Sequence, residues 1–180
     1  MKLEEKTKNS KAIFQGRLLD VRLDQVILPN GAISTREWIN HPGAVCCIPI
    51  LPDGKIGLIK QFRYAIKQEV IELPAGKIDE GETGLMCVKR ELEEEIGYRA
   101  NKIQFLTDIH PAIGFANEKI SIYLVEDLTK TKSKLDEDEF LVIMPTNLNI
   151  AIDMVWNGKI TDVKTIIGLL WAEKILSQRN

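Results

Sequence analysis

The segment from Gly76 to Tyr98, G-K-I-D-E-G-E-T-G-L-M-C-V-K-R-E-L-E-E-E-I-G-Y, constrains this chain more than any other stretch of similar length. Asp79, Glu80, Gly81 and Glu82 form a polar turn, Thr83 offers a hydroxyl suited to an N-cap, and Gly97 supplies a stop. Between them Leu85 to Ile96 has helical periodicity, which predicts a helix of about three turns. At about 100° per residue, Glu91, Glu94 and Glu95 share one face and Glu93 points away. Leu85, Val88, Leu92 and Ile96 form an apolar stripe, so the acidic and apolar faces are expected to be separate.

Three carboxylates within one turn repel each other by a few tenths of a kcal/mol per pair, roughly, and the C-terminal end of a helix dipole disfavours anions as well. Their presence calls for a neutralising partner. Hard oxygen donors suit Mg²⁺ or Mn²⁺, which bind jointly with substrate phosphates, whereas zinc would call for His or Cys at ligand spacing that this segment lacks. A bare E-L-E-E-E run is ordinarily a solvated helix face, and only the spacing of the whole segment points further.

That spacing is Gly76, five residues, Glu82, seven residues, then Arg90-Glu91-Leu92-x-Glu94-Glu95-x-Gly97. It resembles the Nudix box at every position but the last, where Tyr98 stands in place of a small aliphatic residue. Glu72-Leu73-Pro74-Ala75-Gly76, just upstream, looks like the ADP-ribose and nucleoside diphosphate sugar pyrophosphatase branch of the Nudix hydrolases. Arg36-Glu37-Trp38, His41-Pro42-Gly43-Ala44-Val45 and Gln61-Phe62-Arg63-Tyr64 are similar to segments of that branch in the same order, so the resemblance spans roughly residues 14 to 126. Ile113 departs from it, since the branch often carries proline there and this chain has Pro111 two positions earlier.

The resemblance implies an α+β Nudix fold, a mixed β-sheet sandwiched between helices, with a small N-terminal β subdomain over residues 1–40 and the hydrolase domain over 41–180. It implies metal ligation by Glu91, Glu94, Glu95 and the carbonyl of Ala75, and bracing of the box by Gly76, Glu82, Arg90 and Gly97. It also implies a homodimer joined through the N-terminal strands. The activity it implies is Mg²⁺-dependent hydrolysis of ADP-ribose to AMP and ribose 5-phosphate, with Mn²⁺ as a substitute metal. The displaced proline keeps a GDP-mannose-type nucleotide sugar hydrolase as the alternative, and a non-catalytic Nudix-like ligand sensor is the alternative from another class.

A water attacking phosphorus needs a proton acceptor. Glu118, in the loop G-F-A-N-E, is the candidate that the resemblance suggests, with Glu94 as its rival. Arg63 is expected to meet a phosphate or ribose, because a guanidinium fork matches phosphate oxygens; a salt bridge with a carboxylate on the strand face is the other reading. Arg36, Trp38 and Phe14 are candidates for holding the base by stacking, against core or interface roles. His41 and His110 have no second His at ligand spacing and are expected to be structural.

The rest of the chain is consistent with one enzyme. Its 44% hydrophobic content supports a sizeable core, and 24 basic against 26 acidic residues, scattered along the chain, give no electrostatic footprint for nucleic acid. No apolar run approaches the ~20 residues that span a bilayer, and the first ten residues are charged, so a cytoplasmic protein with no membrane partner is expected. Cys46, Cys47 and Cys87 sit in apolar surroundings and read as small buried hydrophobes. Strands are expected before residue 40 around a turn at Pro29-Asn30-Gly31, and from Ala44 to Leu51 paired with Ile56 to Phe62 across Asp53-Gly54. Further strands are expected at 103–109, 119–125 and 140–144. Two helices close the chain, the last over 162–176, capped by Thr161 and buried through Val163, Ile166, Ile167, Leu170 and Trp171.

Overall fold

The run Ala44–Pro49 is apolar from Val45 onward, without polar alternation, as in strands covered on both faces. The structure, a computed structural model describing residues 2–135 and 137–179, has this strand at the centre of its larger unit. In chain order the elements are β1 (Lys6–Gln15), β2 (Asp20–Ile27), β3 (Ile33–Ile39), β4 (Ala44–Pro49), β5 (Ile56–Arg63), β6 (Gln68–Glu72) and β7 (Ala75–Lys77). Then come α1 (Gly84–Ile96), β8 (Tyr98–Ile109), β9 (Ile120–Lys130), β10 (Leu141–Thr146), α2 (Leu148–Trp156) and α3 (Val163–Ser177).

Two units are distinguished. The first comprises the opening 43 residues with His110–Lys119. In it β1, β2 and β3 form an antiparallel sheet in that order, and β2 turns into β3 through Pro29-Asn30-Gly31, with Gly31 at φ 85°. The 110–119 segment is stitched to the end of β3, where Phe115 and Asn117 exchange backbone bonds with Ile39.

The second unit, Ala44–Ile109 with the chain from Ile120 on, carries two sheets. One is mixed, in the order β7-β4-β9-β8, with β4 and β9 parallel; the other is antiparallel, in the order β10-β5-β6. Alternate residues of β4 serve opposite cores: Val45 and Cys47 pack with Val88, Leu92 and Ile96 of α1, while Cys46 and Ile48 pack with Leu169 and Ala172 of α3 and with Ala151 and Ile152 of α2. Sheet between helices is therefore the architecture, as the α+β expectation required.

Three expectations are corrected. β4 and β5 do not pair as a hairpin: the turn at Asp53-Gly54 forms, with Leu51 N–H donating to Lys55 O at 2.8 Å, but past one Ile50–Ile56 bridge the strands diverge into different sheets. The cap of α3 is Asp162, not Thr161, with its carboxylate accepting from Thr165 N–H. The buried face of α3 is Lys164, Thr165, Gly168, Leu169 and Ala172, while Val163 and Trp171 are exposed. Gly168 sets that offset, since a Cβ there would lie 2.6 Å from the Leu73 side chain. All three cysteines are buried and free, as expected.

Candidate active site

Helix α1 forms where its local signals place it. The Thr83 hydroxyl accepts from Met86 N–H, and Gly97 ends the helix at φ 70°, donating back to Glu93 O. A side chain at Gly97 would also meet Ser133 N at 2.9 Å. The strand β8 starts at once, so Tyr98 opens a strand packed on the α1 core, which accounts for a large residue at that position.

The acidic and apolar faces of α1 are not separate, contrary to the periodicity argument. Glu91 and Glu95 are buried with Val88 and Leu92, at 9% and 2% exposure, while Glu94 is partly open and Leu85 is exposed. The reason is the preceding β7 segment. The Glu95 carboxylate accepts from Ala75 N–H at 3.0 Å, and Glu91 lies so close to Gly76 that a Cβ there would sit 1.6 Å from its Oε1. Any residue but glycine at position 76 would occupy the place of that carboxylate.

Arg90 ties the unit together. Its Nε and Nη2 donate to the two oxygens of Glu82 at 3.0 and 2.9 Å, and Nη2 also donates to Lys77 O. Its Nη1 donates to Glu91 Oε1 at 2.6 Å and to Glu94 Oε2 at 3.1 Å. The guanidinium holds the Glu82 carboxyl down to about 2, helped by Asp79 N–H, and Arg90 itself is raised by its carboxylates. One cation faces four carboxylates, since Asp79 Oδ2 also lies 3.7 Å from its Nη2.

The deeper carboxylates are left short of compensation. Burial pushes Glu91 up to about 7 against the pull of Arg90, and burial with the Glu91 and Glu139 charges raises Glu95 well above the ordinary carboxyl range. Glu139 faces this group from the segment before β10, with Gln61 Nε2 3.5 Å from its Oε1, while Gln61 Oε1 is buried without a partner. The expected reading of the sequence missed Glu139; the acidic run at 136–139 before an apolar strand was the available signal.

The donor set fits a divalent cation: hard oxygens, buried, with negative charge in excess. It is not a closed cage. Among the described residues no three acidic, imidazole or thiolate groups converge to enclose an ion, because Arg90 engages Glu91 and Glu94 while Ala75 N–H engages Glu95.

The other expected residues fall in several places. Arg63 is bound to Glu72 through both oxygens, Nε to Oε1 at 2.6 Å and Nη2 to Oε2 at 2.8 Å, which is the salt-bridge geometry weighed against a phosphate contact. In the N-terminal unit, Arg36 pairs with Glu5 at 2.5 and 2.9 Å, Trp38 Nε1 donates to Asp24 Oδ2 at 3.0 Å, and Phe14 is exposed on β1. Glu118 belongs to that unit too, with His41 Nε2 3.8 Å from its Oε1. His41 also accepts from Gly43 N–H through Nδ1, a local structural bond.

A family model described as NUDIX domain matches residues 40–159, two-thirds of the chain, and one described as nucleoside diphosphate sugar hydrolase N-terminal domain matches residues 5–39. This chain belongs to the Nudix family. It is a pyrophosphohydrolase, and Nudix hydrolases generally use divalent metal ions, in keeping with the acidic helix. The Nudix chain is 39% identical to an ADP-ribose pyrophosphatase of Bacillus subtilis over 95% of its length and 94% of that protein. It is 38% identical to a methanol dehydrogenase activator of Bacillus methanolicus over 94% of its length and 93% of that protein. A crystal structure of an ADP compounds hydrolase superposes with a TM-score of 0.89 over 100% of this chain and 98% of the other; at 23% identity it shows the fold alone. No helix among the described residues is long and apolar enough to cross a membrane.

Proposed function

We propose that this Nudix hydrolase cleaves the diphosphate of ADP-ribose, giving AMP and ribose 5-phosphate. The observation that carries the reading is the pair of buried carboxylates, Glu91 and Glu95, left with uncompensated charge in a Nudix box. The 39% identity to an ADP-ribose pyrophosphatase over nearly the whole of both chains supports the substrate.

Glu91, Glu94 and Glu95, with the Ala75 carbonyl, would hold Mg²⁺, or Mn²⁺ in its stead, which when bound offsets diphosphate charge and makes water a better nucleophile. The chain's own tasks are positioning and proton transfer. Gly76, Glu82, Arg90 and Gly97 brace the loop and helix so that the carboxylates face one way. A water oxygen bonds to one phosphorus, the bridging P–O bond breaks, and a carboxylate takes the water proton. Glu118 and Glu94 are the acceptors read from sequence. Glu139 joins them because its charge reaches Glu91 and Glu95. Comparing Glu118→Gln, Glu94→Gln and Glu139→Gln assigns the role: the acceptor's variant loses turnover and the acid limb of its pH profile, and a variant with wild-type turnover is removed.

Arg63 contacts a phosphate or ribose in this reading, and Arg36, Trp38 and Phe14 hold the base. The domain boundary near residue 40, a homodimer joined through the N-terminal strands, and a cytoplasmic setting complete it. GDP-mannose-type hydrolysis is the runner-up within the enzyme class. The identity with a dehydrogenase activator favours a second reading, in which the hydrolase acts on a nucleotide needed by a partner dehydrogenase. A panel of ADP-ribose, ADP-glucose, GDP-mannose, UDP-glucose, NAD and dGTP separates these. ADP-ribose should give the highest kcat/KM; preference for GDP-mannose or NAD would overturn the substrate.

A further inference from the structure

The head of α3 carries a buried charge cluster that no box role accounts for. Lys164 is 9% exposed, yet its Nζ donates to Glu72 Oε2 at 2.5 Å and to Asp162 Oδ2 at 2.9 Å. Glu72, 2% exposed, also receives both bonds from Arg63. Thr165, fully buried, donates through its hydroxyl to Asp162 Oδ2 and accepts from Leu73 N–H at 2.7 Å. The four residues Glu72-Leu73-Pro74-Ala75 are thus held from α3 at one end, and at the other Ala75 N–H holds Glu95.

The cluster has a charge arithmetic. Arg63 and Lys164 face Glu72 and Asp162, two cations against two anions, around a recess of about 450 Å³ that all four line. Arg63 uses its Nε and Nη2 edge on Glu72, which leaves the Nη1 side of the fork outside that pair. Without Lys164, one guanidinium would meet two carboxylates. The cluster would carry a net negative charge beside Arg63, and Glu72 Oε2 would keep only its bond from Arg63 Nη2, losing the second one from Lys164.

We propose that Lys164, seated by Asp162 and Thr165, is a positioning residue for Arg63: by sharing the charge of Glu72 it keeps the guanidinium oriented and available to the anionic part of the substrate. Lys164 does not touch substrate; it acts through Glu72. This deepens the proposed function and rests on Arg63 contacting the nucleoside diphosphate sugar.

The test is a double-mutant cycle of Lys164→Met and Arg63→Gln, with kcat and KM measured on whichever panel substrate the wild type turns over fastest. Lys164→Met should raise KM roughly tenfold or more with a smaller change in kcat, and should add little once Arg63 is already glutamine. Lys164→Arg should recover most of the KM. If the methionine variant does not fold, Lys164→Gln, which keeps a donor without the charge, is read the same way. Equal effects of Lys164→Met with and without Arg63, or an unchanged KM in a folded variant, overturn the positioning role while leaving the hydrolase reading intact. A wild type that turns over none of the panel defeats the functional reading and this proposal with it.

Discussion

Two buried carboxylate clusters in the same unit are built in opposite ways. At the head of α3, Glu72 is as buried as any carboxylate on α1, but Arg63 and Lys164 outweigh the cost of its burial and leave it below the ordinary carboxyl range. On α1, burial wins: Glu91 is pushed up to about 7 and Glu95 well upward, because Arg90 is shared among Glu82, Glu91 and Glu94. Charge balanced within the fold needs no cation from outside. Charge left unbalanced at a buried, hard-oxygen site favours a cation from outside, which is the basis of the metal site proposed for α1.

The largest effect expected from this contrast is on turnover. Glu91→Gln should cut kcat at saturating metal by roughly 10²–10³-fold, read as product release from ADP-ribose. A loss below tenfold would place the essential charge elsewhere.

Stability should respond in the reverse order. Lys164→Met strands Glu72 and Asp162 with one cation and should cost about 3 kcal/mol, seen as a lower denaturant midpoint at unchanged slope. Glu91→Gln should do the opposite: in chelator at pH 8, calorimetry should find it a few degrees more heat-stable than the wild type, because it removes a buried charge that the fold compensates poorly. If both variants destabilise alike, the two clusters are not different in kind.

The gain from Glu91→Gln should itself depend on pH. An acid raised in the folded state from about 4.5 to about 7 binds its proton more tightly there, so ionisation costs the fold stability across that window. The variant's advantage should be absent below about pH 4.5, grow as pH rises, and be complete above about pH 7. Glu82 has the opposite sign: held at about 2 by Arg90, it stabilises above its ordinary range and that contribution is lost as pH falls toward 2. A melting series from pH 3 to 8 on wild type and Glu91→Gln separates the two.

The smallest effect belongs to an exposed pair. Arg99 binds Glu93 on the open side of α1 at 2.8 and 2.9 Å, and Glu93→Gln should leave the midpoint of a denaturant titration nearly where it is in the wild type, since solvent screens such a pair.

The two regions also differ in how far they could be read from sequence. The box helix was legible because its signals are local: Thr83 caps it, Gly97 stops it, and Glu82 and Arg90 lie at a spacing that lets them meet. The α3 cluster was not, because Lys164 and Thr165 are polar residues buried by partners some ninety positions away, and hydrophobic periodicity puts such residues on the outside. The same limit produced the false hairpin of β4 and β5, where Asp53-Gly54 specifies a turn but not which sheet each strand joins. It also hid Glu139, which gains meaning only once β10 lies beside β5. Glu91 and Glu95 were legible as acids on one face; that they are buried was not, because it depends on Gly76 and Ala75 coming against the helix.

We propose above all that the unbalanced carboxylates of α1 form a divalent metal site serving diphosphate hydrolysis. This is tested most directly by titrating Mg²⁺ into the chelated protein and following AMP formation from ADP-ribose, with Glu95→Gln alongside. No product should form in chelator, recovery with Mg²⁺ should be saturable in the wild type, and the variant should recover little at any Mg²⁺ concentration. AMP formation by the chelated wild type, or full recovery by Glu95→Gln, would contradict it.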